Sequence, residues 1–263
     1  MRIGLIGNQH GMAHVLGQAG FDIVCHTAET RNRHGLDGSH VEVVDDHAAF
    51  FERLEHPRRF VLDLPVGSMI DATIDTAYVV MEPGDVVVDP SGSYWGDTLR
   101  RFRRMRHRSI YYVDVGLLGS LPDAVILAAG DPGGVDLAWP LLERLVPMER
   151  LVRAGGAGAA HFTVMVHDAV ATSLTHALSE AHQLLEAYPH EPEVEAVLER
   201  FWPAFPPPSP RAAWLLDDAV RLEASIPHLA LGVMLEVGHA LDEQRSAEPA
   251  PRVGGFVHPD DIL

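Results

Sequence analysis

The run Gly7-Asn8-Gln9-His10-Gly11-Met12 follows an apolar stretch, Arg2 to Ile6, and leads into a segment of helical character, Gly11 to Gly20. Strand, glycine turn and helix in that order are the setting of a dinucleotide-phosphate loop. Such a loop uses three glycines, for the tight turn, for the backbone's approach to the pyrophosphate and for close helix–strand packing. Gly7 keeps the turn, while Gln9 and Met12 stand at the second and third positions. A side chain at Gln9 projects where a pyrophosphate approaches. Gly11 restores the packing by a one-residue slip, and Asn8 and His10 are candidate phosphate donors. The alternative is a structural turn that holds no cofactor.

A second strand candidate, Phe21 to His26, continues as Thr27-Ala28-Glu29-Thr30-Arg31-Asn32-Arg33. No acid sits at the strand end to take ribose hydroxyls, whereas Thr27, Arg31 and Arg33 suit a 2′-phosphate. NADP is therefore expected over NAD if either binds, and a solvated polar loop is the other reading. His10 and His14 have the i, i+4 spacing of a metal-ligand pair, but no third ligand is placed beside them, so no metal is expected. All 20 basic residues counted as Lys+Arg are arginine. Guanidinium stays charged where a buried amine would not, so any mechanism that needs a catalytic lysine is closed.

These residues are carried by strands alternating with helices. Further strand candidates are Phe60 to Leu64, Asp85 to Asp89, Ile110 to Val115 and Ala124 to Ala129. Helical segments lie at about Asp46 to Leu54, Ser68 to Met81, Asp97 to Arg106 and Val135 to Leu145. The alternation predicts βαβ crossovers and an α/β, Rossmann-type, doubly wound parallel sheet. Ala159 to Leu185 reads as one long helix, apolar over so wide a surface that more than one neighbour must bury it. Pro203 to Pro210 is a rigid connector, Arg211 to Glu223 and His228 to Gln244 are further helices, and Ser246 to Pro251 is a loose tail. The expected domains are 1–156, dinucleotide-binding-like, and 157–263, all-helical. Arg100, Arg101, Arg103, Arg104, Arg106 and Arg108 crowd one helix end, where arginines favour the dipole and face water. A patch for an acidic partner is the sharper alternative.

Composition narrows the function classes. With 47% hydrophobic and 22% charged residues, the chain is neither disordered nor fibrous. A net charge of −17 argues against nucleic acid as a partner. The most apolar stretch, His228 to Leu241, is broken by Glu236, which argues against a membrane span. One cysteine, Cys25, excludes a disulfide framework, and the N-terminus opens at once on a strand rather than a secretory leader. A cytoplasmic location is expected.

Several motifs together carry a resemblance. They are Ile3 to Gly7, Met81-Glu82-Pro83-Gly84-Asp85, Asp89-Pro90-Ser91-Gly92-Ser93-Tyr94, Tyr112 to Gly116, Gly156 to Phe162, Met165-Val166-His167-Asp168, and Trp214 to Pro227 with the helix after it. The chain resembles short bacterial 6-phosphogluconate dehydrogenases of the β-hydroxyacid dehydrogenase superfamily over most of its length, with a shortened helical domain. The resemblance implies NAD(P)-dependent oxidation of a 3-hydroxy acid and dimers formed through the helical domain.

It also implies a catalytic set that this chain has changed. The position of the general-base lysine is Val164, and that of the substrate-orienting asparagine is Asp168. The acid and its tyrosine neighbour fall at Ala171 and Thr172. The Ser-Gly-Gly carboxylate cradle reads Leu118-Gly119-Ser120, and the Gly-Asn-Ser loop has Gly92 for asparagine. Acid–base assistance is worth about two to four powers of ten per group, so ordinary 6-phosphogluconate oxidation is expected to be lost.

The candidate site that remains has His161, His167 and Asp168 for proton transfer, near Asp114. Ser91, Tyr94, Gly119 and Ser120 are the substrate contacts, with Ser93 beside them. Gly7, Asn8, Gln9, His10, Thr27, Arg31, Pro65 and Val66 are the cofactor-binding candidates. The arrangement also resembles imine reductases, which lack the lysine and place an aspartate nearby; there Asp168, buried and protonated, would be the proton donor. The leading expectation is a protein that has left dehydrogenase chemistry, repurposed in a biosynthetic pathway for non-redox conversion of a small anionic metabolite. An NADPH-dependent reductase and a dimeric binding module without catalysis are the alternatives.

Overall fold

The computed structural model describes residues 1–8, 10–27, 40–186, 210–221 and 226–236, with side chains of the long helix described as far as 178. The chain divides into two units, Met1–His167 and Asp168–Leu263. The boundary falls inside one continuous helix.

In the first unit the strands are β1 (Arg2–Gly7), β2 (Asp22–His26), β3 (Val41–Val44), β4 (Arg59–Asp63), β5 (Val86–Asp89), β6 (Tyr111–Leu118), β7 (Val125–Ala129) and β8 (Leu151–Gly155). They form a single sheet in the order β3-β2-β1-β4-β5-β6-β7-β8. The helices between them are α1 (Met12–Gln18), α2 (His47–Glu52), α3 (Ser68–Tyr78), α4 (Trp95–Arg106) and α5 (Pro132–Leu142). All pairings are parallel except β6 with β7. That exception follows from length. The link from Leu118 to Val125 is too short for a crossover helix, so the chain turns back as a hairpin.

Both faces of the sheet are covered, which is why its central strands read as unbroken apolar runs. Ile3, Leu5, Ile23, Cys25, Val86, Val88 and Val113 pack on one side with Met12 and Leu16 of α1 and with Val135 and Leu141 of α5. Ile6, Val24, Phe60, Leu62, Val87 and Tyr112 pack on the other with Phe50, Ile70, Ile74 and Met105. Gly4 is required by that second layer, since a Cβ there would lie 2.4 Å from Cζ of Phe50.

On the arginine-rich helix Arg100, Arg103, Arg104 and Arg106 are exposed as expected, whereas Arg101 and Arg108 are a correction to that reading. Arg101 is buried and bidentate on Asp71 of α3, at 3.0 and 3.1 Å. Arg100 also reaches Asp71, Arg104 pairs with Asp75, and Arg104 and Arg108 both lie over the Tyr78 ring. Arg100, Arg101, Arg104 and Arg108 thus clasp α4 and the turn after it to α3.

The long helix α6 spans Ala159–Glu186, one residue beyond its expected end. In the second unit its continuation is followed by a single turn at Pro210–Ala213, by α7 (Trp214–Arg221) and by α8 (227–236). Ser173 of α6 meets Gly232 of α8 so closely that a Cβ on the glycine would lie 2.5 Å from its hydroxyl oxygen. The expected proline connector up to residue 209, the end of the last helix and the tail lie outside the described residues. No helix among the described residues is long and apolar enough to cross a membrane.

Candidate functional site

The strand order reverses direction between β1 and β4, and in open α/β sheets ligands sit beyond the carboxyl ends of the strands at such a point. Two turns meet there. Gly7 ends β1 with φ of +84°, and a Cβ on it would fall 2.3 Å from the Asp63 carbonyl oxygen. Only glycine fits that place.

Asp63, the last residue of β4, is buried, and its carboxylate faces the β1–α1 turn. Both of its oxygens accept from the His10 amide at 3.1 Å, and one accepts from the Met12 amide at 3.1 Å. The His10 ring adds Nδ1 at 2.6 Å. Asn8 turns its Oδ1 to the Ala13 amide at 3.1 Å. Of the expected phosphate donors, His10 meets Asp63 through its amide and Nδ1, as Met12 does through its amide, and Asn8 turns its oxygen to the start of α1. A dinucleotide's pyrophosphate would have to take amides already held by a carboxylate of the same charge. The residues present do not fit the group in that pose.

The other cofactor candidates are less informative. Thr27 is buried at the end of β2, while Pro65 is half-buried and Val66 exposed after β4. Gln9, Arg31 and Arg33 lie outside the described residues. Beside Thr27, the His26 ring stands 4.2 Å from the His47 ring at the start of α2. Burial pushes the His47 imidazole below its ordinary value of 6.5, and the neighbouring His26 adds to that. No group of three or more His, Cys, Asp or Glu side chains able to hold a metal ion occurs among the described residues.

A second cluster lies at the carboxyl end of β5 and the middle of β6, where Asp89 and Asp114 are register partners. Asp89 accepts from the Ser91 amide at 3.0 Å and from the Tyr112 hydroxyl. Burial raises the Tyr112 phenol well above its usual range, so it remains a donor to Asp89. The Ser91 and Ser93 hydroxyls are 2.8 Å apart, and Arg101 donates to Ser93 at 2.9 Å. Arg101 and Arg100 in turn hold the Asp71 carboxyl down at about 2, mainly through the Arg101 hydrogen bonds. The serine loop is therefore tied from behind by a buried guanidinium.

Asp114 receives the start of α6. It accepts from the amides of Gly158 at 2.8 Å, Ala160 at 3.0 Å and His161 at 3.3 Å. Burial pushes its carboxyl up, and Asp89 adds to the shift against the pull of His161 and the amides.

His161 is buried, with Nε2 3.0 Å from the Asp89 carbonyl oxygen and Nδ1 2.8 Å from the Thr98 hydroxyl. A carbonyl can only accept, so Nε2 carries a hydrogen, and Nδ1 shares a hydrogen bond with the Thr98 hydroxyl. Expected as a proton-transfer group, His161 in this geometry spends both nitrogens fastening α6 to β5 and α4. Val164, at the position implied for the base, is buried, and its Cγ2 would lie 2.6 Å from a Cβ on Gly116.

His167 is half-buried at the last position of the first unit. In the second unit Asp168 is nearly buried, and its Oδ2 lies 2.9 Å from Nε of Arg211. The Arg211 guanidinium thus stands beside the carboxyl oxygen that was expected to hand on a proton. Ala171 and Thr172 are buried. Gly119, with φ of +95°, and Ser120 are exposed in the β6–β7 hairpin, and the Ser120 carbonyl accepts from Asp123. Within the first unit, then, Ser91 and Ser93 are brought to His161 through Asp89, and Tyr94 begins the helix whose Thr98 holds that histidine.

Asp63, Arg101, Asp71, Thr98 and Arg211 escaped the sequence reading. A signal existed for Asp63: it is a lone charge set between Leu62 and Leu64 at the end of a buried strand. Arg101 was hidden among five other arginines.

Residues 2–147 match the family described as the NAD binding domain of 6-phosphogluconate dehydrogenase. Over 158 residues the chain is 30% identical to the NAD(+)-dependent, decarboxylating 6-phosphogluconate dehydrogenase of Bacillus subtilis, covering 57% of this chain and 34% of that one. It thus spans about a third of the length of the curated relatives it matches. In fold it is similar to the 3-hydroxyisobutyrate dehydrogenase of Mycobacterium tuberculosis, with a TM-score of 0.73 at 16% identity over 92% of this chain and 94% of that one. The imine reductase of Streptomyces aurantiacus is similar too, with a TM-score of 0.60 at 14% identity over 85% and 79%.

Proposed function

We propose, from the premise that the chain belongs to the family of the NAD-binding domain of 6-phosphogluconate dehydrogenase, that it has left the oxidation of hydroxy acids and serves a non-redox step on a small anionic metabolite. The observation that carries this reading is Val164. The position implied for the base holds a buried isopropyl group pressed on Gly116, which can neither accept the hydroxyl proton nor reach solvent.

Two further observations support it. His161 is committed through both nitrogens, and Asp168 is paired with Arg211. His167 and Asp168 remain the proton-transfer candidates for an elimination, isomerisation or condensation, reactions that move protons without a hydride acceptor. Anionic substrate chemistry is carried over from the relatives, whose names give a phosphorylated sugar acid. The chain acts as a homodimer through its helical unit, in a biosynthetic pathway. The exposed Val170, Leu174, Leu231 and Met234 of that unit support the dimer.

The second reading is an NADPH-dependent reductase, favoured by the fold it shares with imine reductases. One pair of assays separates the two. The protein is incubated with 6-phosphogluconate or 3-hydroxyisobutyrate and NAD or NADP, following the absorbance of reduced coenzyme, and with NADPH and a cyclic imine. No turnover is expected in either. Rapid coenzyme reduction in the first would overturn the proposal, and imine-dependent NADPH oxidation in the second would replace it with the reductase.

A further inference from the structure

After β1 the His10 and Met12 amides both meet a carboxylate of the chain itself. We infer that Asp63 is the residue that bars a dinucleotide from this chain, by standing on the turn amides as a built-in substitute for a phosphate. Asp63 bears on the cofactor alone and stands on a different element from Val164, which bears on the base.

Three features carry it. The carboxylate meets the His10 amide with both oxygens and the Met12 amide with one, all at 3.1 Å, the pattern in which a phosphate oxygen would be held. Asp63 is buried on β4, at the strand end beside β1, so it is fixed by the sheet and does not swing aside as a surface side chain would. The His10 ring closes the outer side of the carboxylate at 2.6 Å. An incoming pyrophosphate meets a like charge at contact distance and finds the amides already saturated. Either effect alone weakens binding, and here they come from a single side chain.

The test is a titration of the wild type, Asp63→Asn and Asp63→Ala with NADPH and with NADH, read by nucleotide fluorescence and thermal shift, with circular dichroism to establish folding. The wild type is expected to show no saturable binding. Asp63→Ala is expected to bind NADPH about tenfold more tightly or better, as follows from removing one like charge from the path of a phosphate. Asp63→Asn, which keeps an acceptor oxygen but drops the charge, falls between them. Folded variants that gain nothing would overturn the inference, as would a wild type that binds either nucleotide at micromolar concentration. If both variants fail to fold, amide hydrogen exchange on the wild type decides: protection at His10 and Met12 unchanged by added NADPH supports Asp63, and added protection overturns it. Failure here leaves the proposed function intact, because that reading fails only on coenzyme turnover by the wild type.

Discussion

Gly116 of β6 and Val164 of α6 are complementary: the valine methyl lies where a Cβ on the glycine would come within 2.6 Å. The helix approaches the strand this closely because one residue lacks a side chain and the other has a short, stiff one. Gly116→Ala also meets the Ala160 carbonyl oxygen at 3.0 Å. Overpacking of this kind is expected to cost about 1 to 3 kcal/mol in urea denaturation. The double variant with Val164→Ala should recover part of that loss, whereas strictly additive effects would show that the two residues do not share a contact.

The clasp between α3 and α4 should respond to loss of one partner. Asp71→Asn leaves the buried Arg101 guanidinium with the Asp89 carboxylate at 3.9 Å as its remaining counter-charge, which is expected to destabilise the protein by about 1 to 3 kcal/mol. Since Asp71 titrates at about 2 in the folded chain against an ordinary 3.8, its contribution is complete above the ordinary value and fades as pH falls through about 2. Acid denaturation of wild type and variant should therefore converge at the acid end. Curves that stay parallel would contradict this assignment.

His47 makes stability depend on pH in the opposite range. Its folded value lies below the ordinary 6.5, so the unfolded chain binds the proton more readily. Stability is full above that value and declines as pH drops beneath it. Thermal melts from about pH 7.5 down to about pH 5.5 should show that decline, and His47→Phe should flatten it. A slope unaltered by the substitution would point to another group.

In the helical unit, Asp168 and Arg211 are expected to show coupling of about 1 to 3 kcal/mol in a double-mutant cycle of alanine variants. The side chains are only partly exposed, and the pair spans elements far apart in sequence. Negligible coupling would mean that Asp168 is held by other groups.

The central strands were legible because burial on both faces leaves little choice of residue, as Ile3 to Ile6 and Val86 to Val88 show. Two strands were not seen. β3 and β8 lie at the edges of the sheet, where Glu42, Val152 and Arg153 are exposed and the apolar run that marks a strand is absent. The site was read unevenly for a related reason. Gly7 declares itself by position, since a turn after a strand has few solutions. Asp63 acquires its role only from amides 51 and 53 positions away. Arg101 differs from its arginine neighbours by facing inward at Asp71, and no spacing rule marks that choice among six similar residues.

The hairpin between β6 and β7 settles where α6 departs. With β7 reversed and β8 parallel to it, the chain comes back down the sheet and leaves at the level of Ala129, which faces Asp114. A chain that had kept its heading would have delivered the helix to the far rim. One change of direction thus brings the first turn of α6 to the two aspartates, and the geometry of that junction is inherited from a six-residue link rather than from any side chain in the helix itself.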